Sequence, residues 1–164
     1  MKKINISLLI LLACIIFTSS IIKAQEFPIT TGNYVKSPGG VAYDGTNYLI
    51  GIVGDNVNSK SITAQLLSPT GSLVGSRISI GATGASPYVA FDGTNYLMLW
   101  SNYSGSDGDN IKATDTVFGQ FISTSGNLVG SHFPIFIDAN ISSPKGGCLV
   151  FSDSNYIIVF KRNR

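Results

Sequence analysis

An all-β fold of stacked, four-stranded antiparallel sheets is what this 164-residue sequence predicts, and three observations carry that expectation. The first is a repeat: VAYDGTNYL at positions 41–49 returns as VAFDGTNYL at 89–97, a spacing of 48 residues. The second is another repeated stretch, QLLSPTGSLVG at 65–75 against QFISTSGNLVG at 120–130, now 55 residues apart. The third is the pattern between them, apolar runs too short for helices and bounded by Gly, Asn, Asp and Ser. A repeat of this length in strand-rich sequence encodes one supersecondary unit, which buries its apolar faces only when a neighbouring copy stacks on it.

The elements follow in chain order. Lys2 and Lys3, an apolar run from Ile6 to Phe17 and the small Ala24 read as a secretory signal peptide, a helix over residues 1–24 cleaved after Ala24. Two alternatives stand beside it. One is an uncleaved membrane anchor over Ile4 to Ile22, nearly long enough to cross a bilayer. The other is a lipoprotein in which Cys14, after Leu11, Leu12 and Ala13, carries the lipid. Leu12 is bulky for that motif, and the apolar Ile15, Ile16 and Phe17 follow where polar residues are usual.

Residues 25–164 are expected to form the stacked domain: a lone outer strand at 27–30, a first unit at 39–81, a second at 87–137 and half of a third at 147–161. Phe27-Pro28-Ile29 repeats Phe133-Pro134-Ile135, which places the lone strand as the last strand of an earlier unit. Within each full unit, Asp-Gly-Thr-Asn is turn chemistry, with Gly45 or Gly93 supplying positive φ and the Asp side chain folding back on the backbone, so a tight hairpin is expected. The run from Tyr96 to Trp100 is apolar on both faces and suits an inner strand between packed sheets. Arg77 to Ile80 and His132 to Ile135 alternate, and Pro134 lacks the amide proton of a central strand, so this segment is an edge. The longer second offset puts a surface loop within 101–115. Four antiparallel strands, outer edge last, stacked face to face, make a propeller blade. The third copy matches at Phe151, Asn155 and Tyr156 and stops after two strands. A ring needs at least four blades, roughly 192 residues at this spacing, so a partial propeller is expected, from a truncated reading frame or a protomer that closes by association.

The VAFDGTNYL repeat, with Val117 to Ser123 (VFGQFIS) and the GNLVG after Ser125, resembles tandem β-propeller-type repeats of large bacterial secreted and cell-surface proteins. The resemblance implies a propeller-like fold and carries no catalytic or ligand residue with it. Two departures stand out: Gly51 and Ile52 replace the Leu99 and Trp100 of the second copy, and the third copy lacks the Asp-Gly pair.

Loss of residues 1–24 removes three of the 11 bases, Lys2, Lys3 and Lys23, and none of the nine acids, leaving a net charge of −1. A nucleic-acid role is therefore not expected, nor a membrane partner after cleavage. Cys148 is then the one remaining cysteine, without an internal disulfide partner, and its place before Leu149, Val150 and Phe151 reads as a small buried hydrophobe. Asp44 and Asp92 invite an acid-base reading, yet a turn is needed in every unit and an active site once, so both read as turn residues. Asp107, Asp109, Asn110 and Asp115 offer oxygen ligands for a hard cation but lack the glycine and distal glutamate of an EF-hand, and a plain solvated loop is the favoured reading. His132 begins an edge strand with no acid or thiol nearby in sequence, and Trp100, Tyr96 and Phe91 read as core before they read as a sugar-stacking platform. No catalytic, cofactor-binding or metal residue is assigned and no cofactor is expected. The functional expectation is a non-enzymatic exported binding or scaffold module, secreted or at the cell surface, contacting a glycan, a protein or another copy of itself. Its rival is a piece of a propeller hydrolase or lyase whose catalytic groups lie in other blades.

Overall fold

A computed structural model describes residues 26–29, 37–54, 60–102, 115–138 and 147–159. Among these the chain is all β, with ten strands and no helix. The signal peptide at 1–24, Cys14, residue 30 and the acidic loop at 107–110 lie outside the described residues, and of Asp115 only the backbone is described.

The first sheet runs β1 (Ser37–Tyr43), β2 (Tyr48–Val53), β3 (Ser61–Leu67) and β4 (Leu73–Thr83), in spatial order β1-β2-β3-β4 with every neighbour antiparallel. The second repeats that meander with β5 (Ala85–Phe91), β6 (Asn95–Ser101), β7 (Asp115–Ser123) and β8 (Leu128–Asp138). The third holds β9 (Cys148–Ser152) and β10 (Asn155–Val159). Pro134 lies on β8, which pairs only with β7, and it sits opposite Phe118 beside a register shift.

The hairpin turns explain the repeated tetrapeptide. Asp44 Oδ1 accepts the amides of Thr46 and Asn47, each at 2.7 Å, and Asp92 Oδ1 does the same for Thr94 at 2.8 Å and Asn95 at 2.7 Å. Gly45 and Gly93 hold φ near +97° and +95°, a region in which a Cβ is strained. In the third sheet Asp153 takes that place at φ +56°, which an Asp side chain tolerates better than most.

Stacking follows from alternation along the inner strands. Leu49, Ile62, Ala64 and Leu66 of the first sheet share one core with Val89, Tyr96, Met98, Trp100 and Ile122 of the second. Leu97, Leu99 and Val117, on the opposite face of the second sheet, meet Leu149, Tyr156 and Ile158 of the third. Each fully buried aliphatic side chain contributes roughly 1.5–3 kcal/mol of transfer free energy, so these two interfaces dominate the packing energetics. Gly40 permits the close approach of β1 to β5, since a Cβ there would stand 2.6 Å from the amide nitrogen of Val89.

Residues 26–29, which cover most of the expected lone strand at 27–30, join no ladder among the described residues. No described strand lies beside them to accept their hydrogen bonds, yet their side chains pack. Ile29 lies against Ile50, Ile52 and Leu67 on the outer face of the first sheet, and the Phe27 ring lies over Gly71. Between the first two sheets Ile78 lies over Gly126, the same relation one unit later.

Candidate functional site

Two places bring polar groups together: the turn end of the stack, and a cleft at its opposite end. At the turn end, a tyrosine from the start of each second strand reaches the Asp turn of the sheet before it. Tyr96 Oη donates to the carbonyl of Asn47 at 2.9 Å, beside the Asp44 carboxylate, and Tyr156 Oη donates to Asp92 Oδ2 at 2.8 Å. Partial burial pushes the two carboxyls up, but the amides of the turn and the tyrosine hydroxyl together outweigh it and hold both below the ordinary Asp value. Burial first, then the adjacent carboxylate, pushes both phenols up, so they stay protonated donors. The turn amides hold Asp44 and Asp92 in place and the two tyrosines reach across to these turns, which makes the turn end an inter-sheet latch.

A further polar feature is internal to each of the two four-stranded sheets. Gln65 and Gln120 are buried, each at a register shift between the third and fourth strands, where the ladder leaves carbonyls unpaired. Gln65 Nε2 reaches the carbonyls of Leu66 and Val74, both at 3.1 Å, and of Gly75 at 3.4 Å. Gln120 Nε2 reaches those of Phe121, Val129 and Gly130 at 2.9, 3.1 and 3.2 Å. The conserved spacing of Gln and the Leu-Val-Gly segment in both copies is thus a bulge clamp.

The cleft lies between the first and second sheets at the end opposite the Asp44 turn, with a volume of about 470 Å³. Ser61 opens β3, Thr83 closes β4 and Asn102 follows β6, so three strand ends meet at one rim, the Ser61 hydroxyl itself being buried. Ser79, Phe118 and His132 complete the walls, with the buried edge of Trp100 at the floor. The His132 ring stands edge-on to Trp100 at 5.9 Å between centroids and to Phe118 at 5.6 Å, which fixes its plane without an ionic partner. The strands thus hold amide, hydroxyl and imidazole side chains around one cleft, a lining that exchanges hydrogen bonds with a polar ligand.

The residues weighed from sequence separate clearly. Trp100 and Tyr96 are buried at 1% and 0% exposure, so they form core and not a stacking platform, while Phe91 packs beside them. Cys148 departs from expectation: it is exposed, because β9 alternates and turns Leu149 and Phe151 inward while Cys148 shares the outward face with Val150. Among the described residues no group of three or more His, Cys, Asp and Glu is placed to hold a metal ion. The tyrosine latch and the Gln clamp were not singled out from sequence; the recurrence of Tyr48, Tyr96 and Tyr156, and of Gln65 and Gln120, was the signal that could have found them. Comparison with protein-family models, curated proteins and solved structures finds no match.

Proposed function

We propose that this chain is a non-enzymatic binding or scaffold module of propeller type, exported through residues 1–24, whose cleft between the first two sheets binds a neutral, hydroxyl-rich ligand such as a glycan. One observation supports the reading most: Thr83, Asn102 and His132 line one cleft held by the strands of two packed sheets. Such a lining exchanges hydrogen bonds with sugar hydroxyls. The polar groups orient the ligand, and the two packed sheets keep them in place without an ordering cost at binding.

The test is a glycan array probed with the purified protein, followed by titration of any neutral oligosaccharide retained. Asn102→Ala and His132→Ala are each expected to weaken binding at least severalfold with the melting temperature unchanged. An array with no retained glycan, or affinity untouched by both substitutions, would overturn the reading. Mass spectrometry of protein recovered outside the cell is expected to show a chain beginning at Gln25.

A further inference from the structure

We propose that copies of this chain join head to tail, the outer face of the third sheet of one copy packing on the outer face of the first sheet of the next. The inference is independent of the ligand reading above, since neither surface touches the cleft. It rests on an interface that the chain makes twice internally and whose two halves are partly exposed among the described residues.

The repeat supplies the equivalences. Leu97, Leu99 and Ala90 present the second sheet to the third and are 3%, 1% and 6% exposed. Their counterparts in the third sheet are Ile157, Val159 and Val150, at 48%, 55% and 47%. On the receiving side, Val89, Phe91 and Tyr96 of the second sheet are covered by the first, with Val89 at 5% and Tyr96 at 0%. Their counterparts in the first sheet are Val41, Tyr43 and Tyr48, of which Val41 is 57% and Tyr43 45% exposed. At these positions apolar side chains that are buried where a neighbouring sheet stacks are exposed where none does, a pattern that marks an association surface.

The latch points the same way. Tyr96 and Tyr156 each donate to the turn of the preceding sheet, whereas the hydroxyl of Tyr48, at the same position, has no hydrogen-bond partner among the described residues and its ring packs tilted against Tyr43 at 4.6 Å between centroids. The turn of the third sheet, from Ser152 to Asn155, receives no tyrosine among the described residues. Joined head to tail, Tyr48 of one copy meets that turn in another, with the Asn155 carbonyl standing where the Asn47 carbonyl accepts Tyr96. Ile50 and Ile52 are already covered, with Ile29 against them, so the contact uses the Val41, Tyr43 and Tyr48 side of the face. Unlike faces in contact build a closed ring or an open filament according to the rotation between copies.

The experiment is sedimentation velocity over a wide range of concentration, under reducing conditions so that Cys148 forms no cross-link. The unsubstituted chain is expected to associate. Ile157→Lys and Val41→Lys are each expected to be monomeric alone, because each destroys one half of the contact. Mixed in equal amounts they are expected to form a dimer, since the intact first sheet of one meets the intact third sheet of the other. Val159→Lys and Tyr43→Lys replace either variant that loses its far-UV circular dichroism. A monomeric unsubstituted chain, or assembly that Ile157→Lys abolishes and Val41→Lys leaves alone, would overturn the proposal; the second result would mean that like faces pair.

Discussion

The interface between the first and second sheets and that between the second and third use the same positions with unequal support. In the first, four strands face four, and the acceptor of the latch is a backbone carbonyl, Asn47, beside Asp44. In the second, two strands face four, and the acceptor is the Asp92 carboxylate itself. The third sheet lacks the Asp-Gly pair in its own turn and still stacks. The tyrosine and the inward alternation therefore determine docking onto the preceding sheet, while the Asp turn serves the sheet that follows. A unit can lose its turn signature and keep its place.

The comparison is tested most severely at Trp100, which is buried in the first interface; its sequence counterpart in the third copy, Phe160, lies outside the described residues. Trp100→Ala is expected to destabilise the fold by about 3–5 kcal/mol, read as the midpoint shift in urea unfolding. Tyr156→Ala, whose side chain is only partly buried, should cost less. Equal losses would show that the two interfaces carry the same load.

Next in size is the bulge clamp. Gln120→Ala leaves buried carbonyls unpaired in the second sheet, and Gln65→Ala does so in the first, each expected to cost about 1–3 kcal/mol. The pair of measurements sharpens the comparison, because the clamp belongs to single sheets and its loss should be the same in both. A difference as large as the effect itself would tie the clamp to stacking.

The latch comes third. Tyr156→Phe removes a hydrogen bond to a carboxylate at a partly exposed site, and Tyr96→Phe one to a carbonyl in a buried setting, each expected to cost about 1 kcal/mol once solvent screening is counted. Both share one pH dependence. Asp44 and Asp92 have folded-state values below the ordinary 3.8, so their stabilisation is complete above that value and is lost as pH falls through the lower folded-state value. Stability is therefore expected to decline with acidification below that point, and Asp92→Asn to flatten the decline. A variant whose acid limb matched the unsubstituted chain would remove the carboxylate from the latch.

Smallest is Asp153→Gly, which restores glycine at a positive-φ position but also frees the unfolded chain. The two effects oppose, and the net change is expected to lie within about 0.5 kcal/mol of zero, measured as thermal midpoint.

Much of this was legible in sequence because it is local. Alternation and run length give the strands; Asp44, Gly45 and their counterparts give the turns; Pro134 gives the edge. The latch joins Tyr96 to Asn47 and Tyr156 to Asp92 across whole units, so no local window contains both partners. The Gln clamp depends on which residues the ladder leaves unpaired at a bulge, a matter of register that composition does not encode. The cleft needs three strand ends to meet, and Ser61, Asn102 and His132 show nothing in isolation. Cys148 was misread because its neighbours are apolar, while the alternation of β9 turns it outward.

The stacking of repeated sheets is tested most directly by nuclear Overhauser contacts across the two interfaces. Protons of the Tyr96 ring are expected to show contacts to Asn47, and those of the Tyr156 ring to Asp92, together with the ladder contacts of each antiparallel sheet. Ladder contacts within each sheet without either tyrosine contact would contradict the stacked arrangement.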